Sequence, residues 1–272
     1  MTKPVIKWAG GKTQLLQEIK KRMPTYFNTY YEPFFGGGAL FFDINPKKAV
    51  INDFNQELIN LYKEIKNNPL DLIEELKQHQ INHTEEYYNV VRSDFNIRIN
   101  DPGSLSIKDA AELVYLNKMG FNGLYRVNLN GFYNVPSGHK KRCVLFQEQN
   151  IYEASEALKK AKIICGDFEL SCKKAKKGDF VFFDSPYYDT FDTYQRGGFT
   201  TEDHKRLAKL FKKLSKKGVY CLLTNSNTDF IKELYQDFNI DVVKVKRMIN
   251  CDGKNRTGEE VIITNYRGDE LC

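Results

Sequence analysis

Short apolar runs that alternate with amphipathic stretches of helical length constrain this chain most. The runs "KAVIND" (48–53), "KKAKIICGDF" (159–168), "GDFVFFDSPY" (178–187) and "VYCLLTNSN" (219–227) have strand character, and "TTEDHKRLAKLFKKLSKKG" (200–218) reads as a helix between the last two. A shorter strand is expected near Tyr30–Glu32, and residues 242–264 read as a hairpin around a polar turn. Strands separated by helices imply a mostly parallel α/β sheet covered on both faces, which binds ligands beyond the carboxyl ends of its strands. Residues 57–155 break the alternation. They open on the helical "QELINLYKEIKNNPLDLIEELKQH", begun at 56, and pass into "LNKMGFNGLYRVNLNGFYNVPSGHKKR", rich in Gly, Asn, aromatics and cations. We therefore expect one sheet domain from 1–56 and 156–272, with 57–155 inserted into it.

The chain's 272 residues suffice for such a domain with its insert. A net charge of +6 permits a polyanionic partner without requiring one. Six scattered cysteines without a C-x-x-C pair read as reduced thiols of a cytoplasmic protein. The first residues lack the apolar core of a secretion signal, and no run reaches membrane-spanning length, so no membrane partner is expected.

Two segments carry the logic of a nucleoside site. "YYEPFFGGGALFFD" puts Glu32 at a strand end and follows it with Gly36, Gly37 and Gly38, where backbone can approach a ligand just before a helix starts. Asp53 then ends the next strand, where an acid can hold a ribose diol. The spacing is not G-x-G-x-x-G, which disfavours a nicotinamide cofactor. "WAGGKT" (8–13) ends like a phosphate-binding loop, but Ile6 occupies the position of the required first glycine. His79 and His83 are four apart, yet the intervening "QIN" lacks the glutamate of H-E-x-x-H, so no metal is expected. Both, with His204, read as exposed helix residues.

"DSPY" (184–187) ends an apolar strand in an acid, a proline and a tyrosine. A turn alone explains such a tetrapeptide in isolation. Here it accompanies "KWAGGK" (7–12), "EPFFGGGALFF" (32–42), "INDFN" (51–55), "GFNGLYRVN" (120–128), "GFYNVPSG" (131–138), "GDF" (166–168), "LLTNS" (222–226) and "RMINCDGKNR" (247–256). In these blocks and their order the sequence resembles the Dam-type DNA adenine-N6 methyltransferases, including those of GATC restriction–modification systems.

The resemblance implies a Rossmann-like, seven-stranded, mostly parallel methyltransferase sheet with a C-terminal antiparallel hairpin and a largely helical inserted DNA-recognition domain. It implies S-adenosyl-L-methionine as methyl donor, S-adenosyl-L-homocysteine as product, double-stranded DNA as substrate and no metal. Trp8, Lys12, Phe35, Gly36, Gly37, Asp53, Asp167, Phe168 and Asp184 would lie at the cofactor. Asp53 would take the ribose hydroxyls, Phe35 would enclose the methionine end, and Asp167 and Phe168 would meet the cofactor's adenine. Asp184 and the carbonyl of Ser185 would accept the hydrogens of a flipped adenine's amino group, with Pro186 and Tyr187 completing the catalytic tetrapeptide and Tyr187 stacked on the base. Arg126 of the insert and Lys7 of the first segment would each read a guanine, and Leu124 and Pro136 of the insert would touch a thymine methyl. Phe121 would wedge beside the flipped adenine. Asn122, Asn128, His139, Lys140 and Lys141, with Lys254 and Arg256 of the hairpin, would meet DNA through phosphates or loop order.

The family usually has Asp-Pro-Pro-Tyr, whereas residue 185 here is serine. The carbonyl acceptor survives, but the stiffness of the missing proline does not, which predicts slower chemistry that a restored proline would speed. A catalytically silent DNA-binding relative and an N4-cytosine methyltransferase are the alternatives. The absence of Pro-Cys disfavours a C5-cytosine enzyme, whose nucleophilic cysteine usually follows proline. A monomer in a bacterial or phage-infected cell, functionally paired with a GATC endonuclease, completes the expectation.

Overall fold

A computed structural model describes residues 2–8, 10, 15–98, 105–189, 198–246 and 257–267. The strands are β1 (Tyr30–Glu32), β2 (Ala49–Asp53), β3 (Ala161–Cys165), β4 (Phe180–Phe183), β5 (Tyr220–Ser226), β6 (Asn239–Lys246) and β7 (Thr257–Thr264). They form one sheet in the order β3-β2-β1-β4-β5-β7-β6, parallel from β3 to β5, with β7 antiparallel to both β5 and β6. The chain leaves β1 toward β2 on one side and returns to β4 on the other. The carboxyl ends of β1 and β4 therefore flank a topological switch point, where the crevice of such a sheet opens.

Helices α1 (Leu16–Arg22), α2 (Ala39–Ile44), α3 (Gln56–Asn67), α4 (Pro69–Ile81), α5 (Glu85–Arg98), α6 (Ile107–Met119), α7 (Glu148–Lys159), α8 (Phe168–Cys172), α9 (Thr201–Lys216) and α10 (Asp229–Leu234) surround the sheet. β4 shows why both faces are covered. Phe180 and Phe182 enter the core shared with α3 to α7, while Val181 and Phe183 enter the second core with α8 to α10. All four are at most 1% exposed, the period-two alternation of a strand buried on both sides. Within the segment 57–155, α3 and α7 pack on β3 as well as on each other, and α6 packs against α3, α4 and α5.

The helical stretch from residue 56 is two helices. Pro69 cannot donate to an ongoing helix and pushes Asn68 out of helical geometry (φ −131°, ψ 47°), so α3 stops and α4 starts with proline at its first position. The histidine expectation is corrected. His79 and His204 are 5% and 2% exposed, each on the apolar stripe of its helix with Leu72 and Leu76, or with Leu207 and Phe211. His79 stacks on Tyr115 and is hydrogen-bonded through Nδ1 to the Tyr87 hydroxyl at 2.9 Å. His83 is half-buried between α4 and α5, bonded to the Tyr115 hydroxyl and the Lys140 carbonyl. Burial pulls both His79 and His204 down to about 4, so they are neutral packing residues at physiological pH.

Candidate active site

Asp184 leaves β4 one residue beyond the register pair Phe183–Leu223, which sets it beside Thr224 of β5. Thr224 donates its hydroxyl to Asp184 Oδ1 at 2.9 Å. The next two residues of β5 hold the rest of the tetrapeptide. Asn225 Nδ2 donates to Ser185 Oγ at 3.3 Å, Asn225 Oδ1 accepts from the Tyr188 amide at 3.0 Å, and Ser226 Oγ donates to the Tyr188 carbonyl at 2.8 Å. Tyr187 donates its phenol to Glu260 Oε2 at 2.6 Å, which β7 places opposite Ser226. Burial, reinforced by Asp184 and Glu260, raises that phenol well above its ordinary value and keeps it protonated. Asp184, Pro186 and Tyr187 are half-buried and Ser185 is buried.

Across the switch point, the turn after β1 is built on glycine. Gly36 and Gly38 have φ of +48° and +66°. A Cβ on Gly38 would lie 2.5 Å from the Phe35 ring, and one on Gly36 would lie 2.8 Å from the Trp8 indole. Asp53 Oδ2 accepts from the Gly36 amide at 2.8 Å and Oδ1 from the Asn55 amide at 3.0 Å. Burial raises Asp53 above the usual carboxylate range despite these bonds. Glu32, 3% exposed, accepts from the Tyr30 phenol at 2.8 Å and is pushed well up by burial, with Asp184 and Asp53 adding to the effect. Asn52 donates to the carbonyls of Pro33 and Gly166, both at 2.9 Å, and so ties the loops after β1 and β3 together, while its buried Oδ1 has no partner.

The third wall is the start of α8. Asp167 caps that helix through the Glu169 amide and pairs with Arg206 of α9 at 2.8 Å. The same guanidinium lies 4.9 Å from the centre of the Phe168 ring, which stacks on Phe34.

The fold thus brings Gly36, Gly37, Asp53, Asp167, Phe168 and Asp184 to one end of the sheet, with Trp8 over the glycine turn. Phe35 is different: its ring is 2% exposed and packed against Phe41, Phe42 and Tyr62. The ring supports the glycine turn from inside the core. Lys12 lies outside the described residues, as do Lys254 and Arg256.

Trp8 also stacks on Tyr125 with ring centres 4.9 Å apart, which joins the glycine turn to the inserted segment. Asn117 of α6 bonds both the amide and the carbonyl of Lys7, and the Lys7 stem lies over Gly123. Phe121 is 51% exposed beside Pro136, whose carbonyl accepts its amide at 3.0 Å. Arg126 is exposed and steadied by Asn134, bonded at 2.8 Å to the side chain. Leu124 is half-buried; Asn122, Pro136, Lys140 and Lys141 are exposed. Asn128 spends its side-chain oxygen on the amides of Asn130 and Phe132, which closes the turn that presents Arg126. His139 is exposed and pairs with Glu85. Lys118 was not foreseen; burial, and after it the charges of Lys7 and Lys140, lower its pKa, so three ammonium groups share this face.

Thr224, Asn225, Glu260 and Arg206 were also missed, because their roles come from strand pairing and helix packing. The only signal for the first two was the block "LLTNS". Among the described residues no helix is long and apolar enough to cross a membrane.

A family model described as D12 class N6 adenine-specific DNA methyltransferase matches residues 8–249. The chain is 44% identical over 273 residues to the type II methyltransferase M1.LlaDCHI of Lactococcus lactis subsp. cremoris, covering 97% of this chain and 95% of the relative. It is 42% identical to the type II methyltransferase M.MjaIII of Methanocaldococcus jannaschii, covering 97% and 99%. With the DNA adenine methylase of Escherichia coli K12 it shares 32% identity, covering 96% and 94%.

Proposed function

Because the chain belongs to the D12 class of N6 adenine-specific DNA methyltransferases, we propose that it methylates an adenine turned out of duplex DNA, within GATC, with S-adenosyl-L-methionine as donor. One observation carries the reading. Asp184, held by Thr224, and Asp53, bonded to the glycine turn, stand at the carboxyl ends of strands about the switch point of the sheet.

The residues present fit the donor. Asp184 and Asp53 both press on the buried Glu32 carboxyl at the carboxyl end of the sheet, an environment that favours a ligand carrying sulfonium and ammonium groups. Asp53 would take the ribose diol, Gly36 and Gly37 would line the methionine end beneath Trp8, and Asp167 and Phe168 would meet the adenine ring. When bound, the donor supplies an electrophilic methyl carbon.

The chain's own task is the nucleophile. An adenine amino group has its lone pair drawn into the ring. Two fixed acceptors, the Asp184 carboxylate and the Ser185 carbonyl, favour a pyramidal nitrogen and stabilise the positive charge that grows there. Thr224 fixes the carboxylate plane, and Tyr187, its phenol anchored by Glu260, offers a ring face to the extruded base. Rigid placement then does much of the work. Extrusion costs a few kcal/mol, which stacking and phosphate contacts offset.

Segment 57–155, together with Lys7, would find the site. Arg126 reads one guanine and Lys7 another, Leu124 and Pro136 touch a thymine methyl, and Phe121 fills the gap left by the adenine. Asn122, Lys140 and Lys141, with Lys118, would hold phosphates, and His139 would order the loop. A functional pairing with a GATC nuclease, without direct contact, is supported by relatives named type II methyltransferases. A monomer suffices for one extruded base.

Transfer of labelled methyl to duplexes with and without GATC, followed by nucleoside analysis, tests this. Label in N6-methyladenine of GATC duplexes alone is expected; label in other sequences refutes the assigned site. Arg126→Ala should relax choice at one base pair, at a cost of about 1–3 kcal/mol there. A uniform loss across sequences would make Arg126 a phosphate contact instead.

A further inference from the structure

The catalytic turn at the end of β4 is tied to β5 by an unusual density of side-chain bonds. Ser185 and Asn225 are 2% and 1% exposed. The Asn225 amide donates to Ser185 Oγ, while its oxygen accepts the Tyr188 amide and, at 2.9 Å, the Ser226 amide. Ser226 holds the Tyr188 carbonyl. Both ends of residues 185–188 are thus gripped by two consecutive residues of a central strand, which β4 and β7 in turn hold from either side.

We propose that Asn225 is a positioning residue that, through the Ser185 hydroxyl, supplies the backbone restraint a proline at 185 would give. The inference rests on the catalytic reading of this turn. A serine leaves φ unrestrained, and a swing at residue 185 would carry its carbonyl away from the substrate amine. The bond from Asn225 opposes that swing. A proline ring would remove the hydroxyl and strand a buried amide donor, so restoring proline brings no gain. This revises the expectation that Ser185 slows the enzyme.

Single-turnover methyl transfer at saturating donor and DNA tests the idea on the full chain and on Ser185→Ala, Ser185→Pro, Asn225→Ala and the double variant Ser185→Pro/Asn225→Ala. Ser185→Ala should slow transfer about tenfold, one net hydrogen bond, and Asn225→Ala about thirtyfold, because it also loses the Tyr188 tether, with donor affinity unchanged in both. Ser185→Pro should not exceed the parent. In the Ser185→Pro background Asn225→Ala should cost only about threefold, because the Ser185 bond is already gone and the bonds to the Tyr188 and Ser226 amides remain to be lost. Parental speed in Ser185→Ala, a several-fold gain in Ser185→Pro, or equal losses from Asn225→Ala in both backgrounds would overturn the proposal. Hydrogen exchange without DNA separates this failure from that of the functional reading. The Tyr188 amide should exchange faster in Asn225→Ala, and unchanged exchange defeats the clamp even if the parent modifies no adenine.

Discussion

At the scale of single residues, the account turns on how side chains are aimed. Thr224 makes one bond to Asp184 at 2.9 Å. Thr224→Val keeps its shape and removes that bond, so single-turnover transfer should fall about tenfold while equilibrium donor binding holds. A parental rate would show that Asp184 is oriented by other means. Asp53 gives a pH prediction. Burial raises its pKa, and a ribose diol donates best to the ionised carboxylate. Donor affinity should therefore weaken as pH falls through that raised value, above the ordinary carboxylate range of about 4. Calorimetry across this range should show the limb in the parent and not in Asp53→Asn. A limb persisting in Asp53→Asn assigns it to another group. The ends of the strands were legible at this scale: Asp53 and Asp184 are acids that close apolar runs, and the fold brings them together. Thr224 and Glu260 were not, because a serine, threonine or glutamate in sequence says nothing of the strand that will lie beside it. Phe35 is ambiguous in sequence for a related reason, since an aromatic next to glycine packs as readily against the turn as against a ligand.

At the scale of elements, the glycine turn between β1 and α2 joins fold and site. Gly38 combines φ of +66° with a Cβ position 2.5 Å from Phe35, which is itself locked among aromatic neighbours. Gly38→Ala should cost about 2–4 kcal/mol by strain and overpacking, read in denaturant unfolding. Gly131, at φ +86° with open space around it, isolates the backbone term, and its alanine variant should cost about 1 kcal/mol. Equal losses would mean the packing on Phe35 relaxes freely. The sequence made the strands, α9 and the hairpin plain because apolar runs and capping residues mark them locally, Thr200 and Asp203 boxing the start of α9. It blurred α3 and α4, where an apolar stripe continues across the Asn68–Pro69 break. It also gave no way to see that α3 and α7, at the borders of the insert, would cover β3.

At the scale of the whole molecule, two buried neutral histidines set an acid limit. Their folded values of about 4 lie below the unfolded value of about 6.5. Stability that each contributes is present above the unfolded value and is lost as pH falls toward the folded one, up to about 3 kcal/mol apiece. Denaturant unfolding at pH 7, 5.5 and 4 should show this fall, and His204→Phe should flatten it. An unchanged slope would place the acid sensitivity in other groups. These histidines read as surface residues in the sequence because one polar residue on an apolar stripe is indistinguishable from the stripe's edge until the neighbouring helix is known. On the proposed reading, the sheet delivers an acceptor pair to one crevice, and segment 57–155 brings a base to it. The most direct test is single-turnover methyl transfer to a GATC duplex by Asp184→Ala, with donor and DNA binding verified. Transfer to adenine N6 slower by about a hundredfold or more is the predicted result, and adenine methylation at the parental rate would contradict the account.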